Sequence, residues 1–133
     1  NILPEPLLKS LKLILIVDNH HFDKHKILKK CSKTLKKNIR FIKPTNNIRE
    51  IYAISDIIIS CSSKPEGFGR TISESLAMNK IPIGINNGGV REQLIGFDSK
   101  LLFEPNDIDS FSKSLYYALS LLKNNHLLFI IKI

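Results

Sequence analysis

Two glutamates bracket a glycine-rich turn in the stretch Lys64-Pro65-Glu66-Gly67-Phe68-Gly69-Arg70-Thr71-Ile72-Ser73-Glu74-Ser75-Leu76-Ala77. An apolar run, Asp56-Ile57-Ile58-Ile59-Ser60, precedes it, and another, Ile81-Pro82-Ile83-Gly84-Ile85, follows. A strand, a glycine turn and a helix start in that order make an anion site. The first-turn N–H groups of a helix have no intrahelical acceptor, and the helix dipole adds partial positive charge beside them. Carboxylates at such a site require a ligand that carries hydroxyls as well as phosphates. A nucleotide-sugar, with a pyrophosphate between two hydroxyl-bearing rings, meets that requirement. Main-chain amides hold the phosphates while each carboxylate accepts hydrogen bonds from one set of hydroxyls.

The elements that must position this turn are legible as short apolar runs alternating with helical spacing. Strands are expected over 12–17, 38–42, 57–60, 81–85 and 101–103. Helices are expected over 22–37, with Ile27, Leu28, Cys31 and Leu35 on one face, and over 46–55, 70–78 and 90–95. A last helix should run from an Asp107 N-cap to about Leu122. Asn79 should close the helix after the glycine turn in the left-handed conformation, which Asn tolerates. The strands lack clean alternation, as expected where helices cover both faces of a parallel sheet. The fold class is α/β: a doubly wound open parallel sheet, Rossmann-like, of about five strands with helices on both faces. Ligands bind such sheets outside the carboxyl ends of the strands. Gly67 to Gly69 and Gly88 to Gly89 both follow strands and should share that rim.

The chain has 133 residues and is 43% apolar, enough for one domain with its own core. Its apolar runs fall short of the roughly 20 residues that span a bilayer. The N-terminal stretch, with Pro4 and Pro6, shows no signal-peptide pattern. Cys31 and Cys61 form neither a disulfide framework nor a zinc pattern and should pack as small apolar residues. These features point to a cytoplasmic protein. The net charge of +8 favours anionic partners, whereas Lys24, Lys26, Lys29, Lys30, Lys33, Lys36 and Lys37 on a helix are also what a solvated face looks like. His21 and His25 stand four apart near His20, but no third strong ligand is fixed beside them, so no metal is expected. Tyr116 and Tyr117 read as core packing.

In these residues the chain resembles the C-terminal domain of the group 1 retaining glycosyltransferases of the GT-B fold. Their hallmark is a segment similar to E-G-F-G-x-x-x-x-E-A-x-A, here Glu66 to Ala77 with Ser75 in the first alanine place. Ile81-Pro82-Ile83 resembles the family's V-P-V strand, Gly88-Gly89-Val90-Arg91-Glu92 its G-G-V-x-E turn, and Leu101 to Asp107 its closing strand and cap. The likeness covers 11–122. It implies that Glu66, the catalytic candidate, sits beside the donor sugar and that Glu74 accepts from the ribose hydroxyls. Gly67, Phe68, Gly69, Arg70 and Thr71 would meet the pyrophosphate. Lys43, Pro44 and Thr45 would line the base pocket, and Gly88 and Gly89 would let backbone approach the sugar-phosphate. Asp18-Asn19-His20-His21 departs from the glycine-rich turn usual in the family, and Asn79 replaces a glycine.

The resemblance further implies transfer of a hexose-type sugar with retention of configuration and without a metal or other cofactor. The donor is a nucleotide-sugar and the acceptor a saccharide or lipid-linked molecule of polysaccharide biosynthesis. The whole chain, 1–133, then reads as one nucleotide-sugar-binding domain, the C-terminal part of a two-domain enzyme. The acceptor-binding N-terminal domain and the family's phosphate-binding Arg and Lys would lie before Asn1, so this segment alone is expected to be inactive. With the basic charge, the likeness also implies peripheral contact with an anionic membrane at its inner face. The alternative is a Rossmann-like module that binds a nucleotide or nucleic acid without catalysis. No nucleic-acid motif supports that alternative, and no nucleic acid is expected as partner.

Overall fold

The computed structural model describes residues 3–17, 23–62, 67–122 and 127–132. The strands are β1 (Leu11–Ile16), β2 (Ile39–Ile42), β3 (Ile57–Ser60), β4 (Ile81–Ile85), β5 (Leu102–Phe103) and β6 (Leu127–Lys132). The helices are α1 (Glu5–Ser10), α2 (Lys24–Lys30), α3 (Lys33–Asn38), α4 (Ile48–Ala53), α5 (Arg70–Ala77), α6 (Gly88–Phe97) and α7 (Ile108–Leu121). A 3-10 turn, Ser99–Leu101, precedes β5. All pairings are parallel, and the strand order is β2-β1-β6-β3-β4-β5.

Period-two alternation explains the two covered faces. Leu11, Leu13, Leu15 and Val17 point to one side of the sheet, where Leu35 of α3 and Leu115 and Ala118 of α7 pack. Ile14 and Ile16 point to the other, where Tyr52 and Ile48 of α4 meet them. Central β3 shows the consequence: Ile57 and Ile59 enter one core, Ile58 the opposite one, and all are buried. A strand covered on both faces must be apolar throughout, which is why Ile57-Ile58-Ile59 shows no polar alternation.

Local chemistry sets several boundaries where the residues predict them. Asp107 caps α7, its carboxylate accepting from the N–H groups of Asp109 and Ser110. Asn79 takes φ of 55° after α5. Three expectations change. The helix expected over 22–37 is interrupted within its described part: Cys31 and Ser32 are extended, and the Ser32 hydroxyl accepts from Leu35 N–H to start α3. A serine hydroxyl competes with helical continuation by offering the backbone this alternative. The sheet also has six strands, since the apolar segment Leu127–Lys132 enters between β1 and β3. That position pairs it on both sides, with Phe129 in register with Leu13 and with Ile57. Tyr117 packs on the main core, but Tyr116 is exposed, contrary to its reading as core.

Ile58→Ala should cost about 3 kcal/mol through lost transfer energy and an unfilled cavity. Exposed Ile54→Ala should stay within about 0.5 kcal/mol. Urea unfolding followed by circular dichroism measures both differences.

Candidate functional site

The cleft of interest has a volume of about 580 Å³ and opens at the carboxyl ends of the strands. Ile16 of β1 forms part of its wall, Pro44, Thr45 and Asn46 come from the β2–α4 loop, and Ile48 from α4. Gly67, Phe68, Gly69, Arg70 and Glu74 close the other side. The walls therefore come from both halves of the sheet, where a doubly wound fold leaves a crevice.

Each wall is fixed locally. Thr45 Oγ1 accepts from the N–H of Asn47 at 3.1 Å, which curls the β2–α4 loop before α4 starts. On the opposite wall, Gly69 is the N-cap of α5 with φ of 70° and ψ of 46°, a conformation natural to glycine. The N–H groups of Ile72 and Ser73 return to its carbonyl. The earlier N–H groups of the first turn have no intrahelical acceptor, so the helix presents donors at the cleft.

The two glycine segments meet directly. A Cβ on Gly69 would lie 2.8 Å from Val90 N, and one on Gly89 would lie 2.4 Å from the Phe68 carbonyl carbon. Main chain thus packs on main chain, and α6 becomes the back wall of the glycine turn. Gly67 differs: a Cβ there would meet nothing within 4 Å. Its missing side chain leaves space rather than filling a contact.

Among the described residues, charge around the cleft is sparse. Arg70 Nη2 lies 3.4 Å from Glu74 Oε1 across one helical turn, with the side chains 81% and 34% exposed. Such a solvated pair contributes only about 0–1 kcal/mol, and a ligand can open it easily. The Phe68 side chain is 68% exposed at the cleft rim.

Among the residues singled out from sequence, the structure brings Pro44, Thr45, Gly67, Phe68, Gly69, Arg70 and Glu74 to one cleft. Lys43 is exposed immediately before it. Thr71 is fully buried in the first turn of α5, and its hydroxyl has no hydrogen-bond partner among the described residues. Gly88 opens α6 with φ of 50°, and Gly89 lies behind the turn. Glu66 falls outside the described residues, as do His20 and His21. His25 is exposed on α2. Among the described residues no group of three or more His, Cys, Asp or Glu could hold a metal ion. No helix among them is long and apolar enough to cross a membrane.

Sequence reasoning missed Gln93. From α6 its Nε2 donates to the carbonyls of Phe68 and, at 3.2 Å, Gly69. Its Oε1 accepts from Ser73 Oγ at 2.8 Å. On sequence it resembles any polar residue on a helix, and only its position after Gly88-Gly89 hinted at a role.

Cys61, directly after β3, is also near this edge of the sheet. Burial pushes its thiol pKa up to about 11, so it stays protonated at neutral pH and is no nucleophile there. Farther away, the Tyr117 hydroxyl donates to Asp98 Oδ2 at 2.7 Å, and this bond holds its pKa above the usual range.

Comparison with known proteins fits this architecture. Residues 2–127 match the family model described as glycosyl transferases group 1. The chain belongs to that family. It is also similar to the crystal structure of a glycosyltransferase from Rickettsia africae ESF-5, with 28% identity and a TM-score of 0.68. The match covers 90% of this chain and 35% of that one, so the chain spans about a third of that protein's length. A search of curated proteins returned no significant match.

Two measurements check the geometry. Gly89→Ala should destabilise the fold by about 2–3 kcal/mol, because the added methyl meets main chain that cannot rotate away, while Gly67→Ala should leave the melting temperature unchanged. Alkylation of Cys61 by iodoacetamide in the native protein should be negligible at neutral pH and rise as pH approaches about 11; mass spectrometry of tryptic peptides reads it.

Proposed function

We propose that the cleft binds a nucleotide-sugar and that this chain is the donor-binding part of a glycosyltransferase that retains configuration. The carrying observation is the α5 N-terminus, whose first turn and glycine N-cap line a cleft that also holds Glu74. The diphosphate lies against the amides of the Gly67–Thr71 turn, where glycine leaves no side chain between N–H and phosphate. The nucleoside reaches toward Pro44, Thr45 and Asn46, with Lys43 at the margin. Glu74 turns from Arg70 to accept from the ribose hydroxyls, and Arg70 then lies free to face phosphate. Glu66 serves the hexose-type sugar, while Gly89 backs the glycine turn, its Cβ position taken by the Phe68 main chain rather than by ligand.

Breaking the sugar–phosphate bond develops positive charge at the anomeric carbon and negative charge on the departing diphosphate. Fixed N–H donors and the α5 dipole stabilise that leaving group without reorganising during the reaction. The leaving group needs no metal under this scheme. The acceptor, a saccharide or lipid-linked molecule, approaches from a second domain, and the chain by itself binds donor without turning it over. The work belongs to polysaccharide assembly in the cytoplasm, with the basic surface toward an anionic membrane.

The test is ligand-induced stabilisation. Uridine, guanosine or adenosine diphosphate at a hundred times its dissociation constant should stabilise the fold by about 2.7 kcal/mol. Glu74→Ala should weaken binding about 10- to 100-fold, the worth of hydrogen bonds to a charged group. A second reading, a nucleic-acid module, is favoured by one observation: no acidic residue lies between Asp23 and Glu50, while many lysines do. It would be preferred if oligonucleotides bound with steep salt dependence and nucleoside diphosphates did not bind.

A further inference from the structure

We infer that Gln93 is a positioning residue for donor binding: it holds the Phe68 and Gly69 carbonyls toward α6 and so keeps the peptide N–H groups of the turn aimed into the cleft. This rests on the proposed nucleotide-sugar reading and assigns a role to a residue outside the family hallmark.

A trans peptide is planar, with its C=O and N–H antiparallel. The Phe68 carbonyl accepts from Gln93 Nε2 on the α6 side. The N–H of the same peptide, that of Gly69, must then point the other way. The Gly69 carbonyl accepts from the same amide group at 3.2 Å, together with the Ile72 and Ser73 N–H groups of α5, so the N–H of Arg70 is turned likewise. Gly69 and Arg70 both line the cleft. The orientation of the Gln93 amide follows from chemistry: carbonyls only accept, so the NH₂ end must face them. Its oxygen then accepts from Ser73 Oγ at 2.8 Å, which ties the clamp to the fourth residue of α5.

A clamp is needed because glycine is conformationally permissive. The Gly67-Phe68-Gly69 backbone has a φ of 70° at Gly69, and a flipped peptide there would place a carbonyl oxygen where a phosphate must sit. Two hydrogen bonds from one half-buried side chain, which Ser73 Oγ anchors at its other end, oppose that flip. Packing alone does not explain Gln93, because a leucine or methionine would fill the same volume without holding either carbonyl.

The experiment compares nucleoside diphosphate binding by calorimetry in wild type, Gln93→Met and Gln93→Glu, with uridine, guanosine and adenosine diphosphates as probes. Gln93→Met keeps the volume and removes the clamp, so binding should weaken at least tenfold. Gln93→Glu sets a carboxylate against two carbonyls when ionised but can donate again when protonated. Its dissociation constant relative to wild type should be large at pH 8 and fall toward one as pH drops to 5. The other charged groups on the two helices near the turn, Arg70 and Glu74 on α5 and Arg91 and Glu92 on α6, are common to all three proteins. The ratio to wild type therefore cancels their titration and that of the ligand phosphate. A merely structural glutamine would lower the melting temperature without producing this pH-dependent ratio. Binding by Gln93→Met within twofold of wild type, or a flat ratio for Gln93→Glu, overturns the inference alone. Absence of binding by wild type to any of the three diphosphates overturns the parent reading and this inference with it.

Discussion

Main chain resting on main chain, with no side chain between, is the constraint on which the site depends. Gly89 lies against the Phe68 carbonyl carbon, and Gly69 lies against Val90 N. These segments are one helix and one strand apart in the chain, yet neither tolerates a Cβ at the contact. The close approach fixes where α5 begins relative to α6. It also brings Gln93 within reach of the turn carbonyls, so a steric fit and a hydrogen-bond clamp act on the same two peptides. The steric term is large because backbone cannot rotate away. The hydrogen bonds are individually smaller but decide which way each peptide faces.

Around this fixed centre, the remaining parts of the cleft are comparatively soft. Phe68 and Arg70 are exposed, and the Arg70–Glu74 pair is solvated and weak. Such a division suits ligand binding. Donors that meet phosphate must be rigid, because reorganising them would cost the stabilisation they supply. Groups that meet hydroxyls can adjust, since a carboxylate accepts from several directions. The long basic segment on the same half of the sheet as the β2–α4 loop supplies a field that favours anionic ligands before contact.

Much of the architecture was legible because local chemistry and tertiary structure agree. Asp107 offers its carboxylate to two N–H groups whatever surrounds it. Asn79 adopts the left-handed turn at little cost. The isoleucines of β3 carry no polar alternation, which only a strand covered on both faces permits. The two glycine segments were placed on one rim by the general rule for parallel sheets. Ser32 was harder: the apolar period runs through it, and its capping hydroxyl interrupts the helix anyway. Leu127–Lys132 was harder still, because an apolar run does not announce its partners, and the slot between β1 and β3 exists only once both strands are placed.

What the sequence determined by itself is the chemistry at hand: glycines that free the backbone at a turn, a carboxylate and an arginine one helical turn apart, and a periodicity that demands a covered parallel sheet. Those properties reside in residue types and short spacings, where each neighbour is within a turn of chain. Only the tertiary structure decided that Gln93 faces Phe68 across 25 residues, that β6 joins the two halves of the sheet, and that Tyr116 is exposed while Tyr117 packs inward. Contacts between distant segments depend on how elements stack, and stacking follows from burying all apolar faces at once rather than from any one stretch of chain.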